Sequence, residues 1–170
     1  MHRVLQSILL TSALILLSCS GNKTTEVLHT FPADDLSGLV NSSLVSFDSE
    51  MSADSAGSIR IVVDSPMTVP LYEVENVDVD DCRLIYRAKL RTEGFDGQVY
   101  LEMWCYFPDL GEYFSRNLDQ TIGGTHAWTS REAIFFLKPG QVPNRVLLNV
   151  GADGIGTIWI DQIELLKAPL

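Results

Sequence analysis

The chain has 170 residues, of which 46% are apolar and 20% charged, and a formal net charge of −10. That length suits one compact domain and leaves no room for two. So acidic a chain repels polyanions at long range, and its 12 basic residues form no cluster in sequence, which excludes nucleic acid as an expected partner.

The chain opens on His2 and Arg3, followed by an apolar run from Val4 to Leu17 that Gln6, Ser7, Thr11 and Ser12 interrupt. A bilayer-crossing helix needs roughly 20 predominantly apolar residues, and the polar stretch from Ser20 to Thr25 follows directly. The layout predicts a secretory signal that is cleaved. Leu16, Leu17, Ser18 and Cys19 resemble the bacterial lipobox. The resemblance implies lipid attachment to the Cys19 thiol and cleavage in front of it. Acyl methylenes, at about 0.8 kcal/mol each, then hold a soluble domain at a membrane surface. We expect a signal peptide over 1–18, a lipid-anchored tether and lead-in over 19–42, and the folded domain over 43–170. Ser20 stands where an Asp would resemble an inner-membrane retention signal. The expected location is the bacterial cell envelope, at the outer membrane where a cell has two.

From about Ser43 the apolar pattern has period two, and no stretch holds a period of 3.6, so the domain reads as all-β. Strands are predicted over 44–47, 58–63, 68–74, 82–92, 98–107, 112–116, 132–137, 145–150 and 156–166. Turn clusters lie between them, at Glu93 to Gly97, Pro108 to Gly111, Lys138 to Gly140 and Gly151 to Gly154. Short strands at this spacing point to a two-sheet antiparallel β-sandwich or a barrel, with a jelly roll favoured.

If Glu93 to Asp96 form a hairpin loop, Leu84 faces Cys105, Tyr86 faces Met103, Ala88 faces Leu101 and Leu90 faces Val99, an apolar ladder for the core. The opposite face then sets Ile85 against Trp104, Arg87 against Glu102 and Lys89 against Tyr100. In that register Cys82 and Cys105 lie diagonally, farther apart than a disulfide prefers, and two buried thiols are expected.

The segment from Gly156 to Leu165, GTIWIDQIEL, resembles the last strand of galactose-binding-like β-sandwich modules, many of which bind carbohydrates. Ala56 to Ile61, Leu84 to Leu90 and Ala127 to Thr129 resemble further strands of the same plan, so the similarity spans roughly 44–166. The resemblance implies the fold, a packing role for Trp128 and Trp159, and a structural calcium ion held in part by Asp161. Asp48 or Glu50 would be its early partner. No other cofactor is expected.

Sugar recognition needs flat aromatic rings to stack on pyranose faces and a few fixed polar groups for the hydroxyls. Tyr100, Trp104 and Tyr106 alternate with core positions on one strand, beside Arg87 and Glu102, and form the candidate ligand-binding set. Tyr113 and Phe114 extend it on the next strand. No nucleophile elbow, His-rich metal motif or phosphate loop is present in the sequence, and the expectation is a non-enzyme. The sequence therefore predicts a lipid-anchored envelope module whose aromatic face meets a glycan or, as the alternative, another envelope protein.

Overall fold

A computed structural model describes residues 24–170, so the signal peptide and Cys19 lie outside the described residues. Eight strands form: β1 (Glu26–Phe31), β2 (Ser46–Asp48), β3 (Ser58–Val63), β4 (Met67–Glu75), β5 (Cys82–Phe107), β6 (Gly111–Arg116), β7 (Ile122–Leu137) and β8 (Arg145–Pro169). All pairings are antiparallel.

The organising unit is a ribbon of the two longest strands. β5 and β8 pair from Cys82 opposite Pro169 to Tyr106 opposite Arg145. The outer edge of β8 carries β4, β3 and β1 one after another, while that of β5 carries β6 and β7. The ribbon folds on itself. Leu84 pairs with Phe135, and Phe107 lies 23 residues along β5, on the order of 75 Å in a straight strand. The Phe107 and Phe135 ring centroids are nevertheless 6.1 Å apart. On the other flank Phe31 of β1 stacks on Tyr72 of β4 at 4.2 Å. The result is a two-sheet sandwich. Its front sheet is β4, 145–152 of β8, 98–107 of β5, and β6. Its back sheet is β2, β3 with β1, the rest of β8, 82–92 of β5, and β7.

The bend corrects two expectations. Glu93 to Gly97 and Gly151 to Gly154 are not hairpin turns; the chain runs on through both, and they meet in the ribbon at Gly97 opposite Gly154, with a register shift between Glu93 and Asp96. Glycines that would reverse a single strand here let both strands turn the same corner. Gly97 has φ 137°, and a Cβ there would overlap the Asp153 carbonyl oxygen. Only glycine fits so close an approach of the two backbones.

The expected 93–96 hairpin register is overturned with it. Leu84 faces Phe135 and Lys167, while Cys105 faces Tyr113 and Val146. The alternation still holds: Leu84, Tyr86, Ala88 and Leu90 from one half of β5, and Val99, Leu101, Met103 and Cys105 from the other, share one buried core. They meet face to face across the sandwich instead of edge to edge within a sheet. Each large apolar side chain buried this way contributes about 1.5–3 kcal/mol. Cys82 and Cys105 are free and buried, and burial pushes the Cys105 thiol up to about 12.

The folded unit also begins earlier than position 43. β1 pairs with β8 from Glu26 opposite Lys167 to Phe31 opposite Ile163. Its burial pattern is irregular, with no clean alternation to reveal a strand.

Candidate functional site

Even-numbered residues of 98–107 point away from the core, onto the outer surface of the front sheet. Three cross-strand rows build that surface. Arg145, Tyr106 and Glu112 form one, Leu147, Trp104 and Phe114 the next, and Asn149, Glu102 and Arg116 the third. Tyr100 follows, opposite Gly151.

The rows differ in chemistry. Trp104 and Phe114 have ring centroids 5.0 Å apart, and the Arg145 guanidinium lies 3.7 Å from the Tyr106 ring centre. Such cation–π contacts hold a ring in place. A Cβ at position 151 would overlap the Tyr100 ring, so glycine there lets the ring lie across β8. Between the aromatic rows sits a buried polar pair, Glu102 at 2% exposure and Asn149 at 3%. Glu102 Oε1 accepts from Trp104 Nε1 at 2.8 Å and from Asn149 Nδ2 at 3.2 Å. Arg116 Nη2 stands 2.5 Å from Glu102 Oε2, close enough for an ion pair though not aligned as a hydrogen bond. Charged partners of this kind are the strong ones. They fix the orientation of the Trp104 ring.

Tyr100, Glu102, Trp104 and Tyr106 thus share one face, and Phe114 joins them. Tyr113 does not: it lies opposite Cys105, with its ring edge against Phe107 at 6.1 Å. Arg87 is also elsewhere, on the back sheet, bonded to Glu132 Oε1 at 2.7 Å and 3.5 Å from Glu164 Oε2. Its expected pairing with Glu102 fails because that pairing requires the hairpin which the bend replaces. Arg116, Arg145, Asn149 and Gly151 come from other strands. No sequence spacing points to them; only the ribbon register brings them in.

No protein-family model matches the sequence, and no curated protein matches it either. Solved structures do. The family 22 module CBM22-1, the xylan-binding domain of Paenibacillus barcinonensis Xyn10C, aligns at TM-score 0.63 and 8% identity over 87% of this chain and 98% of that one. The CBM22-1-GH10 modules of Clostridium thermocellum xylanase 10B, a structure complexed with xylohexaose, align at TM-score 0.61 and 12% identity, covering 82% of this chain. This chain spans only 28% of that longer one. The C-terminal family 22 module of the same xylanase aligns at 0.53 and 10% identity over 85% and 93% of the two chains. The fold is that of carbohydrate-binding β-sandwich modules. At these identities the likeness shows the fold alone.

A second cluster of interest lies on the back sheet. Asp34, Asp54 and Asp161 bring carboxylate oxygens within 4.8 Å of one another. A bulge puts Asp161 there: the register shifts between Arg87 and Lys89, and Gln162 takes φ 49°. Asp161 Oδ2 accepts from Ala53 N at 2.8 Å and Oδ1 from Gln162 N at 2.7 Å. Burial, and to a lesser degree the charges of Asp54 and Asp34, push its carboxyl above the usual value, against those two hydrogen bonds. Asp48 takes no part; its carboxylate accepts from Trp159 Nε1 at 2.8 Å and from the backbone of Glu50 and Met51. Three carboxylates with no lysine or arginine ion pair among the described residues are a donor set that fits a hard cation such as calcium, which takes oxygen ligands. Trp159 is 5% exposed, flanked by Arg60 and Arg91 at 5.9 Å each, and Trp128 is half-buried in β7.

Proposed function

We propose that this protein is a non-catalytic module of the bacterial cell envelope, lipid-anchored through Cys19, that binds a glycan on the outer face of its front sheet. The observation that carries the reading is the row Tyr100, Trp104 and Tyr106 on one face, with the buried Glu102 bonded to the Trp104 ring. Rings held flat and fixed polar groups between them are what stacking on a pyranose requires. Similarity to a xylan-binding domain and to modules complexed with xylohexaose supports the same reading. Calcium at Asp34, Asp54 and Asp161 has a structural role in this proposal, tying the 48–56 loop to β8. The Cys19 anchor predicts membrane partition of the full chain that a Cys19→Ala variant loses.

A glycan-array screen of the full chain beside its Trp104→Ala variant tests the binding. The expected result is saturable binding that the variant loses while its circular dichroism is unchanged. If the wild type binds no glycan, the aromatic face is a contact for another envelope protein instead.

A further inference from the structure

The polar centre of the front face holds two buried oxygens without a hydrogen bond, Glu102 Oε2, which Arg116 meets as an ion pair, and Asn149 Oδ1, which meets no cation. A carboxylate only accepts hydrogen bonds, so the Asn149 group facing Glu102 Oε1 must be the amide nitrogen. This orients the side chain. The other end, Asn149 Oδ1, is a strong acceptor in a residue 97% removed from solvent, and no donor among the described residues reaches it. Buried carbonyl oxygens without a donor are rare in folded proteins because leaving them unpaired is costly. The flanking acceptors make matters worse, since Glu102 Oε1 already takes two donors and Oε2 is held by Arg116.

Beside this centre stands an arginine on an edge strand. Arg116 is about a third exposed, and its guanidinium sits 4.6 Å from the Phe114 ring centre and 5.5 Å from that of Tyr100. Its side chain is part-exposed, whereas Glu102 and Asn149 are buried. Neither arginine of the face is uncommitted: Arg116 pairs with Glu102, and Arg145 with Glu73 at 3.3 Å.

We propose that the face selects a neutral glycan, by accepting a hydrogen bond from a free sugar hydroxyl at Asn149 Oδ1 while Arg116, still paired to Glu102, tilts off the Tyr100 ring to admit the sugar. The inference rests on the glycan-binding reading and narrows it to one ligand chemistry. A hydroxyl brings the missing hydrogen. A uronate carboxylate, an O-methyl or an O-acetyl group brings none, and a carboxylate also meets the Glu102 charge with no unpaired cation on the face to offset it. Sites built to bond a hydroxyl strongly reject analogues that lack it.

The test is titration calorimetry on the full chain. A neutral oligosaccharide bound by the wild type, taken from a panel of xylo-, gluco- and manno-oligosaccharides, is compared with its mono-O-methyl series and with a uronate-containing counterpart. We expect one methylation position to weaken binding about tenfold or more, and the uronate chain to bind more weakly than the neutral one. Asn149→Leu should lose about tenfold on the parent sugar and nothing further at that position, since the two changes remove the same bond. Should that variant fail to fold, the methyl series on the wild type decides alone. Methylated sugars all binding within twofold of the parent, or a uronate chain binding as tightly, would overturn the inference. Trp104→Ala measured alongside separates the failures: loss of binding there with no methylation effect leaves the glycan site standing without this selectivity. A wild type that binds no oligosaccharide overturns both.

Discussion

The two outer faces of the sandwich are made by the same two strands, yet they end in opposite states. On the back sheet β5 alternates core residues with Arg83, Ile85, Arg87, Lys89 and Arg91. Arg87 meets two carboxylates and Arg83 the Pro169 carbonyl at 3.0 Å, while Arg91 lies against the Trp159 ring with its Nε buried and without an acceptor. Past the bend the same strand alternates core residues with Tyr100, Glu102, Trp104 and Tyr106, and there rings are presented half-exposed around an unfilled acceptor. The back face pairs its central arginine with carboxylates and presents no row of aromatic rings; the front face sets its rings around a buried acceptor that a ligand can complete.

The largest expected effect lies at the corner that separates the faces. Gly97→Val adds a Cβ against the Asp153 carbonyl and forces a side chain into φ 137°. It should cost about 3 kcal/mol or more, read as an early midpoint in urea unfolding. A midpoint unchanged from wild type would mean that the ribbon does not need this close approach.

Next comes Glu102→Ala. It removes the acceptor of the Trp104 and Asn149 donors and leaves the part-exposed Arg116 unpaired, at an expected cost of about 1–3 kcal/mol. Trp104→Ala should weaken glycan binding more than tenfold and leave far-UV circular dichroism unchanged. Arg87→Ala, on the other face, belongs at the bottom of the scale, with a cost below about 1 kcal/mol for its part-exposed ion pairs and binding within twofold of wild type. An Arg87 variant that lost binding would erase the distinction drawn between the faces.

Between these sits a pH effect on the back sheet. The folded-state pKa of Asp161 lies above its ordinary 3.8, chiefly through burial. Its contribution to stability is therefore full below the unfolded value and is lost as pH rises through the folded one. Calcium reverses the sign, because it binds the deprotonated cluster. Melting temperature measured from about pH 4 to about pH 6 should fall by this component in chelator and rise in millimolar calcium. Asp161→Asn isolates it from Asp48 and Asp54, whose carboxyls are held below the ordinary value by hydrogen bonds, chiefly from Trp159 and the Ala56 backbone, and act with opposite sign. Identical curves with and without calcium would remove the ion from the proposal.

Much of this was legible in the sequence, and most of what was not has one cause. Period-two patterning reports which side of a strand faces the core, and it located the cores of β3, β4, β5, β6 and β8 and the aromatic row on β5. It does not report which strand lies alongside. Glu93 to Gly97 carries every mark of a turn, because the positive φ a hairpin needs is also what a bent ribbon needs; only the partner glycines on β8 distinguish the two, and they lie more than 50 residues away. The errors followed from that one choice: the Arg87 and Glu102 pairing failed with it, and Asn149, Gly151 and Arg145 went unseen. Asp34 stayed hidden for a different reason. It belongs to a lead-in whose strand β1 shows no alternation, since the strand lies against the edge of β8 without burying one face.

The ribbon also dictates when the chain can fold. β8 is the last strand in sequence and the partner of β1, β3, β4 and β5. Until it has left the ribosome β1 and β4 lack a hydrogen-bonding neighbour, β3 has only β2 and β5 only β6 and β7, and the outermost pair, Cys82 with Pro169, closes only when nearly the whole domain has been made. Topologies dominated by such distant contacts fold slowly. A nascent chain of this design therefore lacks its central ribbon through almost all of its synthesis, and a ribosome stalled before Arg145 would display β1 and β4 with no strand beside them.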